Sequence, residues 1–316
     1  MFSERKGDDL MEYVLKTKDL CKKYGHFKAL DGLDMNVPKG AIYGFVGRNG
    51  AGKTTLIRLV CGLQEPTAGE FTLYGVKNSD RSISKMRRRV GAVVENPAFF
   101  GDMSAEENLK MQYTMLGMPS YDGIDKLLEL VELKDAGTKK AKNFSLGMKQ
   151  RLGIAITLCG DPDMLILDEP INGLDPQGII EIRELILRLN RERNITVIIS
   201  SHILEELSKL ATCYGFIDKG KIVQEIGVDE LEAKLRKYLH VKVSSTTILA
   251  QVMEKAGAEY KILSDTEAYV YGTFKISELS SMLAAEQCEL ISSSEHEESL
   301  ESYFLGLVGT AGGGTE

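Results

Sequence analysis

Residues 47–55, GRNGAGKTT, fit the pattern G-x-x-x-x-G-K-[ST] at Gly47, Gly52, Lys53 and Thr54, a pattern that needs a strand before it and a helix after it. The flanks comply: AIYGFV is a compact apolar run suited to a buried strand, and TTLIRLVCG has helical apolar spacing. Glycines permit backbone angles and a close approach that a side chain forbids, so successive N–H groups can surround phosphates at the positive end of the helix dipole. Gly47, Asn49, Gly50, Ala51, Gly52, Lys53, Thr54 and Thr55 are therefore the expected phosphate-binding set. Lys53 is suited to reach the β- and γ-phosphates of a nucleoside triphosphate, and the Thr54 hydroxyl to ligate Mg²⁺.

A second apolar run, MLIL at 164–167, ends in adjacent carboxylates, Asp168 and Glu169. A buried strand that delivers both at its carboxyl end sets them beside the phosphates, where they can divide the work. Asp168 is the metal-side acid, and Glu169 is the expected catalytic base that orients and deprotonates the attacking water. A third apolar strand, ITVIIS at 195–200, leads to Ser201 and His202. If the strands share one sheet edge, His202 meets the γ-phosphate; a lone histidine is otherwise more often structural.

Between the loop and the acids lies NFSLGMKQRLGIAITL, in which Ser145 and Gly147 open an amphipathic helix. With this segment the chain resembles the ATPase subunit of an ABC transporter. The resemblance runs from Tyr13 to about Gly227 and rests on five motifs in the family's order: the phosphate loop, the signature segment, LILDEP, NGLDP at 172–176, and SSH. Loop and signature are 98 residues apart, from Gly47 to Ser145, and 21 residues separate Gly147 from Asp168. The resemblance implies a P-loop NTPase (ABC ATPase) domain of α/β class at 11–227, with a mixed β-sheet core and a helical subdomain at about 96–160. It also implies ATP and Mg²⁺ as cofactors and a head-to-tail homodimer. Each ATP is then closed over by Ser145 and Gly147 of the second copy, and a separate integral membrane permease is driven from the cytoplasmic face of the membrane.

Some positions depart from the family's usual pattern. Phe144, Leu146 and Met148 replace the first residue, a glycine and the glutamine of the common L-S-G-G-Q. Leucine can present its backbone N–H unless the position needs a positive φ. Glu95, in VGAVVENPAFF, stands where the family usually has glutamine; it can accept a water or a Mg²⁺ contact but cannot donate. A solvated loop acid is the alternative reading of Glu95. Together, Glu95 and the S-x-G-M-K-Q-R-L-G-I-A signature resemble the bacitracin- and lantibiotic-resistance exporters. By the same resemblance Tyr24 stacks on adenine, with Phe27 as competitor and core filling as the alternative. Asp175 then lies at the dimer seam, or else is an N-terminal helix acid before Pro176.

Net charge of −7 and a pI near 5.4 argue against a nucleic-acid partner, which clustered lysine and arginine would hold. The basic run KMRRR at 85–89 reads as a solvated face, with a partner subunit or lipid head groups as the alternative. Five cysteines, at 21, 61, 159, 213 and 288, show no metal-ligand spacing and suit a reducing compartment. No apolar run reaches the length of a membrane span, so this chain is not expected to form the pore.

After Gly227, VDELEAKLRKY reads as a linking helix. The segments that follow alternate as strand, helix, strand, strand, helix, strand, which suggests a small α+β, ferredoxin-like accessory or dimerisation domain at 228–308. A closing helix carries Leu300, Tyr303, Phe304 and Leu307 on one stripe, to pack on its own module or on a second chain. Residues 1–10 and 309–316 read as flexible tails. The expected function is an exporter's ATPase for an antimicrobial peptide or other amphipathic compound. The alternative is an ATP-gated regulatory or translation-associated ABC protein. The phosphate loop and signature lie too close for a chromosome-maintenance ATPase with its long coiled coil, and the single motif set and intact Glu169 and His202 favour transport over the alternative.

Overall fold

The structure, a computed structural model, describes residues 12–235, 237–272 and 275–311. Its internal contacts divide the chain after Val228 into two compact units.

In the first unit, short apolar runs, most of them separated by helices, build a six-stranded sheet. Its order is Lys221–Gly227, Cys213–Asp218, Ile42–Gly47, Thr196–Ser201, Met164–Asp168 and Val90–Val93, and every neighbouring pair is parallel except the first. The three central strands, Ile42–Gly47, Thr196–Ser201 and Met164–Asp168, are buried at every position. That pattern follows from a parallel sheet covered on both faces, and each fully buried Leu or Ile contributes about 1.5–3 kcal/mol. The register sets Asp168 opposite Ser200 and Val46 opposite Ser201, so the carboxyl ends of all three strands finish together.

An antiparallel sheet, ordered Phe27–Pro38, Tyr13–Tyr24, Ala68–Leu73 and Val76–Lys77, packs over this core. The two sheets are joined by a buried polar cluster. Tyr43, from the parallel sheet, donates its hydroxyl to Glu225 Oε1 at 2.8 Å, while Asn36, from the antiparallel one, donates its backbone N–H to the same oxygen at 2.7 Å and its amide to Oε2 at 2.9 Å. Burial, reinforced by the Glu225 charge, pushes the Tyr43 phenol well above its ordinary value.

Helices Ala105–Leu116, Ile124–Leu130 and Leu146–Leu158 pack on one another between strands Val90–Val93 and Met164–Asp168 in the sequence. The first has a complete capping box: Ser104 Oγ accepts from Glu107 N–H, and the Glu107 carboxylate accepts from Ser104 N–H. Asp175 caps helix Pro176–Arg193 by accepting from Gly178 N–H at 3.1 Å, with Pro176 in the first turn.

The second unit is a four-stranded antiparallel sheet ordered Tyr260–Ile262, Glu267–Tyr271, Lys237–Val243, Leu290–Glu297, with helices Thr246–Ala256 and Ile276–Ala285 in a strand-helix-strand-strand-helix-strand sequence. This is the ferredoxin-like arrangement. Leu239, Val241 and Val243 face the helices, meeting Leu249, Met253, Leu279 and Leu283 in its core. On the opposite face, Tyr238 lies against Tyr269, Tyr271 and His296.

The linking helix is shorter than its sequence suggests, Val228–Lys234, because Lys237 and Tyr238 are drawn into a strand whose aromatic neighbours lie on Glu267–Tyr271. The closing helix Leu300–Ala311 takes in residues 309–311, expected as tail, while expected tail residues 1–10 and 312–316 lie outside the described residues. Leu300 and Phe304 of its stripe are buried within the single chain, which favours self-packing over an exposed association stripe. Among the described residues no helix is long and apolar enough to cross a membrane.

Candidate functional site

The loop that leaves strand Ile42–Gly47 turns at once into helix Lys53–Val60. Gly50 has φ +79° and Gly52, the helix N-cap, φ +114°. A Cβ on Gly52 would stand 2.6 Å from the Ala29 carbonyl oxygen, so neither the angle nor the space admits a side chain. The loop is thus a concave set of amides at a helix N-terminus, suited to an anion. The Lys53 ammonium is buried and donates to Gly47 O at 2.6 Å and Arg48 O at 3.4 Å.

The carboxyl ends of the neighbouring strands complete the cleft. Thr54 Oγ1 donates to Asp168 Oδ2 at 2.9 Å. The other Asp168 oxygen, Oδ1, accepts from Ser200 Oγ at 2.6 Å. Glu169 follows with φ +53°, a left-handed backbone, and its N–H meets Ser200 Oγ at 3.0 Å and Ser200 O at 3.2 Å. Its carboxylate lies between two cation-forming groups, with Oε2 2.6 Å from His202 Nδ1 and Oε1 3.7 Å from Lys53 Nζ.

A cleft of about 340 Å³ opens over these groups, lined by the expected Tyr24, Asn49, Gly50, Gly52, Lys53, Thr54, Thr55, Glu169 and His202. Gly47 and Ala51 support it from behind, Gly47 through the Lys53 contact and Ala51 through a carbonyl that accepts from Gly220 N–H at 2.9 Å. Asp168 is buried behind Thr54. Phe27 lines the cleft beside Tyr24; the two close a hairpin and are 61% and 43% exposed. Tyr24 also hydrogen-bonds Gln64 through its hydroxyl.

Three expected residues lie elsewhere. Glu95 does not line the cleft; it pairs with Arg58 at 2.6 Å, an arginine in the last turn of the helix that the phosphate loop starts. Ser145 caps Leu146–Leu158 by accepting from Met148 N–H at 3.2 Å, and neither it nor Gly147 lines this chain's own cleft. Leu146 has helical backbone with no positive φ, so its side chain costs the signature turn nothing. Sequence reasoning missed the cleft roles of Ala29 and Asn172 and the role of Ser200. NGLDP marked Asn172 as part of a motif; the Ser200 contacts arise from strand register and had no local signal.

The donor set fits a magnesium–nucleotide pair: hard oxygens from Thr54 and Asp168 adjoin one another, beside the glycine turn and the Lys53 ammonium. Nested amides, a buried lysine and two strand-end carboxylates define a phosphate-loop ATPase. Residues 30–172 match the ABC transporter family. The chain is 42% identical over 308 residues to the bacitracin transport ATP-binding protein BcrA of Bacillus licheniformis, a match that covers 96% of this chain and 99% of that protein. It is 45% identical over 219 residues to the lantibiotic transport ATP-binding protein SrtF of Streptococcus pyogenes, covering 69% of this chain and 93% of that one. The dimeric structure of MJ0796, a bacterial ABC transporter cassette, matches with a TM-score of 0.61 and 25% identity over 68% of this chain and 98% of that chain. The chain belongs to the ABC transporter family as an ATP-binding, ATP-hydrolysing subunit.

Proposed function

We propose that the chain dimerises on ATP and powers a separate membrane permease that exports a peptide antibiotic of the bacitracin or lantibiotic kind. The observation that carries the reading is a similarity to BcrA that spans both units and not the ATPase unit alone. The dimer is supported by the MJ0796 likeness and by the signature segment, whose Ser145 and Gly147 do not line this chain's own cleft. Two copies packed head to tail bring each signature helix N-terminus to the other copy's ATP, where its free amides suit a phosphate.

In each composite site the loop amides and Lys53 bind the phosphates, and Tyr24 or Phe27 stacks on the base. Thr54 and Asp168 would hold Mg²⁺, which would supply charge neutralisation of the phosphates. Glu169 takes the proton from the attacking water, and His202, released from Glu169, donates a hydrogen bond to the γ-phosphate. The subunit works at the cytoplasmic surface of the membrane, where its permease resides.

The test is tolerance. Wild-type chain made together with its permease in a bacitracin- and lantibiotic-susceptible bacterium should raise the inhibitory concentration of one of these peptides, and the Glu169→Gln chain should not. Equal tolerance with both chains would overturn the reading, as would an affinity-purified chain that brings down no membrane protein.

A further inference from the structure

Ser200 is fully buried at the carboxyl end of Thr196–Ser201, in register with Asp168. A hydroxyl offers one proton and two lone pairs, and here both functions are engaged: it donates to Asp168 Oδ1 at 2.6 Å and accepts from Glu169 N–H at 3.0 Å. The contact on Oδ1 leaves Oδ2 toward Thr54. The contact on Glu169 secures a backbone with φ +53°, a left-handed conformation that an ordinary side chain holds only when its surroundings over-determine it. From that backbone the Glu169 side chain reaches His202 and approaches Lys53. One hydroxyl therefore ties the backbone of Glu169 to the buried carboxylate of Asp168.

We infer that Ser200 is a positioning residue for hydrolysis: its hydroxyl, anchored on Asp168 Oδ1, holds the Glu169 backbone and so aims the base, without touching ATP or water. This inference rests on Glu169 being the general base. An alanine at 200 keeps the strand and leaves the Glu169 amide one acceptor, the Ser200 carbonyl at 3.2 Å, so the fold survives while the alignment slackens. Misplacement of a reacting group by about 1 Å costs on the order of a hundredfold in rate, so Ser200→Ala should slow hydrolysis about 10- to 100-fold. Its affinity for ATP should stay within about twofold, because the loop amides and Lys53 are untouched.

Four full-length chains decide the matter: wild type, Ser200→Ala, Glu169→Gln and the double variant, each measured for single-turnover hydrolysis and equilibrium ATP binding. If Ser200 acts through Glu169, adding Ser200→Ala to Glu169→Gln should slow the reaction by no more than about twofold. In the nucleotide-free protein, the Glu169 amide should exchange with deuterium faster in Ser200→Ala than in wild type. A Ser200→Ala chain that hydrolyses ATP at the wild-type rate while Glu169→Gln is slow would overturn the positioning role alone. The full Ser200→Ala deficit persisting in the Glu169→Gln background would do the same. Near-normal hydrolysis by Glu169→Gln would instead remove the base assignment on which the inference stands.

Discussion

Glu169 and His202 touch through a carboxylate oxygen and a ring nitrogen 2.6 Å apart, while the second oxygen of Glu169 lies 3.7 Å from the Lys53 ammonium. One side chain thus spans the two groups that phosphate would otherwise engage. On the proposed mechanism, arriving phosphate should compete for both and leave the carboxylate free for water. Glu169→Gln keeps the shape and most of the hydrogen bonding but removes the base. Hydrolysis should fall by about 10² to 10⁴ while ATP binding persists, and an ATP-bound dimer should accumulate in gel filtration. Turnover near that of wild type would assign the proton to another group.

The proposed sharing of sites between two copies makes a complementation experiment possible. Lys53→Ala weakens a chain's hold on its own ATP, and Ser145→Arg blocks closure over the other copy's ATP. Each homodimer should be inactive. A differently tagged mixture should regain activity, since one composite site in the heterodimer collects both lesions and the other collects none. Purified heterodimers without activity would contradict closure across protomers, given that one intact site suffices.

Glu95 tests where the metal is held. Its carboxylate pairs with Arg58 at a half-exposed site, and such pairs contribute about 0.2–1 kcal/mol. Glu95→Gln should therefore shift the Mg²⁺ concentration for half-maximal hydrolysis by no more than about twofold. Asp168→Asn should raise it about tenfold or more, because a carboxylate in the Thr54 contact is lost. A larger shift in Glu95→Gln than in Asp168→Asn would return Glu95 to the metal.

Burial pushes the thiol of Cys61 up to about 11 and those of Cys159 and Cys213 to about 12. A group raised in the folded state adds stability below its unfolded value, near 9, and loses it as pH rises toward 11 and 12. The melting temperature should therefore decline above pH 9, starting before lysines titrate. At pH 8.5, iodoacetamide should leave these three cysteines unmodified in native protein and alkylate them in urea, as peptide mass spectrometry can report. Rapid native modification of Cys159 or Cys213 would contradict their burial.

The phosphate loop was legible because its strand, turn and helix are contiguous and its glycines have no other use. Asp168 and Glu169 were legible for a similar reason: a fully apolar strand ending in two acids leaves them few other roles. The ferredoxin-like order of the second unit followed from alternating patterns, yet its first strand begins earlier than hydropathy suggests, because Tyr238 answers to aromatic neighbours on another strand. Glu95 left two readings open for a comparable reason. Its arginine partner lies 37 residues away, and a carboxylate's charge alone does not say whether a metal or a guanidinium will claim it. Ser200 was invisible as anything but a strand residue until the register set it against Asp168.

Glu225 takes three hydrogen bonds from two residues, Tyr43 and Asn36, that belong to different sheets. Sliding one layer over the other would strand a carboxylate in the dry interior, a cost no gradual deformation can spread out. The catalytic half of the molecule is thereby riveted into a single anvil. Helices Ala105–Leu116, Ile124–Leu130 and Leu146–Leu158 contribute no group to that rivet, although the last of them packs on strand Val90–Val93 and so borders the anvil.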